Sequence, residues 1–116
     1  MGVFATLATT LSFAIAADGL ELAVIGRSGC PWCLRWDKEM LPIYPKTEVG
    51  KRAPLRHFSL DEGQPKSITL ETPVRFTPTF ILLKDGKEIG RITGYLNDAA
   101  FWGLLEPMVE RSTLSQ

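Results

Sequence analysis

Cys30 and Cys33, the two cysteines of the chain, enclose Pro31-Trp32 and follow Ser28-Gly29. Just upstream runs the apolar stretch Leu22-Ala23-Val24-Ile25, and downstream Cys33, Trp36 and Met40 recur at helical spacing. The pair therefore falls where a buried strand hands over to a helix. Pro31 suits the first helical position, where a missing N–H costs nothing. A thiol there faces unsatisfied backbone N–H groups and the positive end of the helix dipole, and both favour thiolate. Thiolate is the attacking species in disulfide exchange.

Three chemistries compete for such a pair. A structural bridge across so short a loop removes little chain entropy and makes a poor staple. Zinc wants four ligands, and His57 is the one further strong ligand in the chain. Covalent haem needs a histidine after the second cysteine, where Leu34 stands. A redox pair fits best, with no metal and no cofactor expected. Cys30, at the helix start, is expected to be the more exposed and to act as nucleophile. Cys33, one turn inward, would attack Cys30 in the mixed disulfide and release the partner.

With 116 residues and no repeat or low-complexity tract, the chain suits one domain with one core. Its 13 basic and 13 acidic side chains balance, and no basic block marks a nucleic-acid partner. Met1 to Ala17 carries no charged side chain, and Ala14-Ile15-Ala16 is a small-x-small cleavage site. Residues 1–17 are therefore expected to be a cleaved secretory signal and residues 18–116 the domain. No Lys or Arg precedes the apolar run, so an N-terminal core helix and an uncleaved anchor stay open. An anchor needs ~20 apolar residues, and Thr6, Thr9, Thr10 and Ser12 weaken that option. Export bears on the chemistry, because disulfides persist outside the cytosol.

Glu21 to Ile25 does not alternate, as in a strand buried on both faces. Pro42 and Pro45 are expected to end the first helix, each pushing the preceding residue out of the α region. Thr47 to Arg52 is expected to add a short turn of helix. Leu55 to Leu60 reads as a second strand, parallel to the first because a helix lies between them. Asp61 to Phe76 reads as an irregular surface connection with one helical turn over Ser67 to Glu71. Thr79 to Leu83 is a strand, Lys84-Asp85-Gly86-Lys87 a hairpin turn, and Glu88 to Thr93 the returning strand. Ile89 and Ile92 break its alternation, which points to a bulge near Gly90. Asn97 or Asp98 caps a last helix with an apolar face of Phe101, Leu104, Leu105, Met108 and Val109. Pro107 predicts a kink or a tightened last turn, with Ser112 to Gln116 frayed. The order suits a mixed sheet with helices on both faces.

Cys30-Pro31-Trp32-Cys33 at the junction, Thr77-Pro78-Thr79 opening the third strand, and the hairpin with Gly94 beyond it resemble the thioredoxin superfamily over about Leu20 to Arg111. The resemblance implies an α/β thioredoxin-like fold, a four-stranded mixed sheet flanked by helices. It implies a cis bond at Thr77-Pro78 beside Cys30, and pairing of the Thr77 backbone with an extended client segment. Pro31, Trp32, Thr77 and Pro78 are thus the expected client contacts. Trp32 is expected half exposed, with core packing as its alternative, and Trp36 in the core. His57, on a strand away from the motif, is expected to be structural or on the surface, with an acid–base role as its alternative. Asp37, Lys38 and Glu39 are expected to be a solvated helix face.

Departures from the family narrow the match. Cytosolic thioredoxins carry a buried Asp six residues ahead of the first cysteine, where this chain has Val24. The Gly-Gly pair with which glutaredoxins hold glutathione is absent near Gly94-Tyr95-Leu96-Asn97. The chain looks most like the small periplasmic thioredoxins of bacterial sulfur-oxidation (Sox) operons. That implies a monomeric periplasmic reductant of a protein disulfide. Its client would be a Sox-pathway carrier protein, and a membrane thiol transporter would supply its electrons. A disulfide-introducing oxidant and a binding module with a static disulfide are the alternatives.

Overall fold

The computed structural model describes Gly2 and residues 18–114. The expected signal segment lies, apart from Gly2, outside the described residues, and so do Ser115 and Gln116. Among the described residues no helix is long and apolar enough to cross a membrane.

Four strands form one sheet in the order β2-β1-β3-β4. Strand β1 (Leu20–Gly26) leads into helix α1 (Pro31–Met40), then a 3-10 turn (Tyr44–Lys46) and helix α2 (Glu48–Arg52). Strand β2 (Leu55–Ser59) follows, parallel to β1, with Val24 opposite His57. A 3-10 turn (Leu60–Glu62) and an irregular segment lead to β3 (Thr79–Lys84), antiparallel to β1. The hairpin to β4 (Lys87–Thr93) turns on Asp85 and Gly86, with φ of 50° and 80°. Positive φ at both central residues is what a twist-matched two-residue turn requires. Leu82 pairs with Gly90 and Leu83 with Glu88, so Ile89 is the extra residue of the expected bulge. Helix α3 (Asp98–Leu114) closes the chain, the Asn97 side chain accepting from the Ala100 N–H at 2.8 Å.

The central position of β1 explains its unbroken apolar sequence. Leu22, Val24, Phe80, Leu82 and Ile92 face one way, and Trp36 and Met40 of α1 and Phe101, Leu105 and Val109 of α3 pack on them. Ala23, Ile25, Ile81 and Leu83 face the other way, with Ile68 and Val74. That second face is covered by the connection after β2 and not by a helix, which corrects the expectation of helices on both faces. The expected helical turn over Ser67–Glu71 is likewise absent. Thr69 instead pairs with β4, its N–H donating to Gly86 and its carbonyl accepting from Glu88 at 2.8 and 2.9 Å. Extended backbone places Ile68 and Leu70 on the same side, toward the sheet. Gln64 exchanges two 2.7 Å hydrogen bonds with the Val74 backbone, and Arg91 reaches the Thr72 carbonyl at 2.7 Å. These bonds replace a helix's own ladder in holding the segment down.

Prolines behave differently from expectation. Leu41, before Pro42, keeps α-region angles of −54° and −41°, and Tyr44-Pro45 sits inside the 3-10 turn. The missing proline N–H stops the regular ladder. Tighter bonds from Ile43 to Met40 and from Lys46 to Ile43 keep the chain coiled. Helix α3 runs past Pro107 to Leu114, so Ser112–Leu114 is helical and not frayed. Leu104 leaves the expected apolar face and is 55% exposed.

Candidate active site

The turn at Ser28-Gly29 delivers Cys30 to the N-cap of α1, with φ −97° and ψ 104°. Its Sγ accepts from the Cys33 N–H at 3.2 Å, doing what a serine or aspartate oxygen does at other caps. Pro31 occupies the first helical position, as its sequence context required. Cys30 and Cys33 are joined as a disulfide. Thr77-Pro78 is cis, and its Thr77 hydroxyl donates to Cys30 Sγ at 3.4 Å while the Thr77 carbonyl oxygen lies 3.5 Å away. The Gly94 N–H donates to the Pro78 carbonyl at 2.8 Å and fastens this loop to the end of β4. In the dithiol form, the Cys33 N–H and the Thr77 hydroxyl would both stabilise negative charge on Cys30 sulfur.

One expectation about the pair is overturned. Cys30 is 4% exposed, whereas Cys33 is half-buried. Capping turns the Cys30 sulfur inward over the first helical turn, and Thr77 closes over it. Trp32 is 50% exposed, and Trp36 is fully buried against Phe80, both as expected.

Beside the disulfide, a groove of about 430 Å³ is lined by Trp32, Thr77, Tyr95, Leu96, Ala100 and Leu104, among others. Leu96 and Leu104 are 69% and 55% exposed, and neither drew attention in the sequence as part of the site. Arg35 braces this groove. Its guanidinium lies 5.7 Å from the Trp32 ring centroid and 5.9 Å from that of Tyr95, and it pairs with Glu39 at 2.9 Å. The Tyr95 hydroxyl donates to the other Glu39 oxygen. The Tyr95 hydroxyl first, and Arg35 second, hold the Glu39 carboxyl below its usual range. Glu39 is thus a partnered residue, not part of a free solvated face. Its i, i+4 spacing from Arg35 was the available signal; Tyr95 lies too far along the chain to be found that way.

On the opposite side of Cys33 lies a second cleft, of about 310 Å³. His57, expected on a strand away from the motif, is exposed yet borders this cleft with Cys33, and so does Asp61, which had no positional argument in the sequence. Asp61 accepts from the Ser28 hydroxyl and from the Ser28 N–H at 3.0 Å, and these bonds hold its carboxyl below the ordinary aspartate range. They tie the loop before Cys30 to the turn after β2. Among the described residues, no group of three or more His, Cys, Asp or Glu side chains could hold a metal ion.

A family model for the thioredoxin-like domain matches residues 10–108. The chain belongs to the thioredoxin-like family. The crystal structure of the reduced periplasmic thioredoxin SoxS from Paracoccus pantotrophus is 36% identical to it, with a TM-score of 0.76. That match covers 80% of this chain and 98% of the other. A Thermus thermophilus thioredoxin, 22% identical with TM-score 0.58, covers 80% and 75% of the two chains. A Fasciola hepatica thioredoxin, 16% identical with TM-score 0.57, covers 78% and 82%. The last two share the fold. No curated protein matches the chain. A thioredoxin-like domain with a Cys30–Cys33 pair at the head of α1 is a protein thiol–disulfide oxidoreductase.

Proposed function

We propose that this thioredoxin-like protein is a periplasmic reductant that keeps a sulfur-oxidation protein active. The observation that carries this reading is the 36% identity to a periplasmic thioredoxin named SoxS across 98% of that chain. Residues 1–17 would direct export and be removed, leaving residues 18–116 as a monomeric domain. Cys30 attacks the client disulfide, and Cys33 resolves the mixed disulfide. Pro31, Trp32, Thr77 and Pro78 contact the client, whose extended segment pairs with the Thr77 backbone alongside Cys30. The client would be a carrier protein of the sulfur-oxidation pathway. A membrane thiol transporter would restore the dithiol.

Replacing Cys33 by Ser blocks resolution. The C33S protein, incubated with periplasmic extract, is expected to trap a client on Cys30 that dithiol releases. If nothing dependent on Cys30 is trapped, the reading fails. Direction is read from the reduction potential. A value near roughly −120 mV, that of a strong oxidant, in place of one nearer roughly −270 mV, would mean that the protein introduces disulfides.

A further inference from the structure

The resolving step needs a proton acceptor for Cys33, and residue 24, beside β2, is valine. The cleft of about 310 Å³ next to Cys33 is bordered by α1, β1, β2 and the turn after β2. The ionisable groups on it, besides Cys33, are Arg27, Asp37, His57 and Asp61. Trp36 also forms part of the wall, and its indole N–H is buried with no hydrogen-bond partner among the described residues. The cleft is large enough to hold water, which carries protons over hydrogen-bonded steps.

Of the four groups, Arg27 cannot accept a proton. Asp61 is committed to Ser28, whose two hydrogen bonds stabilise its charged form. Asp37 and His57 are both exposed at the cleft, and carboxylates are intrinsically weaker bases than imidazole. His57 is opposite Val24 in the parallel register, and imidazole is the side chain that changes charge between pH 5 and 8. We propose that His57 accepts the Cys33 proton through water in this cleft during resolution, a role that rests on the oxidoreductase reading above.

The step balances. The Cys33 S–H proton passes by water to His57, giving thiolate and imidazolium. The thiolate forms the Cys30–Cys33 bond as the bond from Cys30 to the client sulfur breaks. The client leaves as thiolate and takes a proton from solvent, and His57 returns its own to solvent.

Reduced protein mixed with dithiobis(nitrobenzoic acid) releases one nitrothiobenzoate as Cys30 attacks and a second as Cys33 resolves. Stopped flow separates the phases between pH 5.5 and 9.5. In His57→Gln the first phase is expected to be unchanged, which also shows that the site is folded. The second should slow at least tenfold at pH 7 and approach the parent rate above pH 9, where the thiol ionises unaided. Second phases within twofold of each other at every pH overturn the role of His57 alone. Absence of any first phase in the parent overturns the oxidoreductase reading and this role with it.

Discussion

Arg35 does its work through contacts that a charge count misses. Its guanidinium touches two rings and one carboxylate, linking α1 to the Gly94–Leu96 loop. Each exposed cation–π contact is worth roughly 0.5–1 kcal/mol. Arg35→Met keeps the stem and removes both, together with the ion pair. Reduction of a protein disulfide such as insulin's should slow by about threefold to tenfold, while a small aromatic disulfide reacts at the parent rate. Equal slowing with both would mean that Arg35 acts on Cys30 and not on the groove. Asp61 makes a separate prediction, in pH. Its folded-state pKa is depressed by Ser28, so its contribution is complete above the unfolded-state value of about 3.9 and declines as pH falls through the lower folded value. Urea unfolding should find the parent more stable than Asp61→Asn at pH 7, with the gap shrinking below about pH 4. A gap that widens on acidification would contradict the bond to Ser28.

Helices α2 and α3 separate what periodicity can and cannot reveal. In a helix, replacing Gly by Ala ordinarily gains roughly 1 kcal/mol. Gly50 lies in α2, yet a Cβ there would run into the Tyr44 backbone carbonyl oxygen, which cannot swing away as a side chain can. Gly50→Ala should therefore destabilise, by roughly 1–3 kcal/mol in urea unfolding, as other overpacked sites do. In α3, the spacing of Phe101, Leu104, Leu105, Met108 and Val109 promises one apolar stripe, but a stripe wider than the contact leaves its edge in solvent. Phe101 is buried among Trp36, Tyr44, Phe80 and Tyr95, and Phe101→Ala should cost roughly 3–5 kcal/mol. Leu104, on the groove beside Trp32 and Thr77, should change stability by less than about 0.5 kcal/mol when cut to Ala, and is expected to slow reduction of a protein disulfide instead. A large stability loss at Leu104 would put it back in the core.

At the scale of the molecule, the legible parts are those whose cause is local. The strand–turn–helix at Cys30 follows from an apolar run, a glycine turn and a proline. The β3–β4 hairpin follows from Asp85-Gly86, and its bulge from the broken alternation around Ile89. The place of Thr77-Pro78 beside the Cys30 sulfur comes from the family resemblance, and the cis bond and the Thr77 hydroxyl contact agree with it. What could not be read depends on partners far along the chain, Asp61 on Ser28 and Tyr95 on Glu39. The covering of the second sheet face was missed for a related reason, since Ile68, Leu70 and Val74 show no period without the sheet they lie on. The same division bears on redox direction. Local donors at the head of α1 stabilise a Cys30 thiolate and so favour the reduced form, while the bridge restricts the unfolded chain and so stabilises the oxidised fold, by roughly 2 kcal/mol for so short a loop. Which wins is a property of the whole fold, because reduction potential and folding stability are linked through one cycle. A protein that gives electrons must be more stable oxidised than reduced; a strong oxidant has the reverse order, its reduced form being the stabilised one. Urea unfolding of both forms should find the oxidised protein more stable. If the reduced protein outlasts it, the donors at α1 outweigh the entropy and the protein is an oxidant.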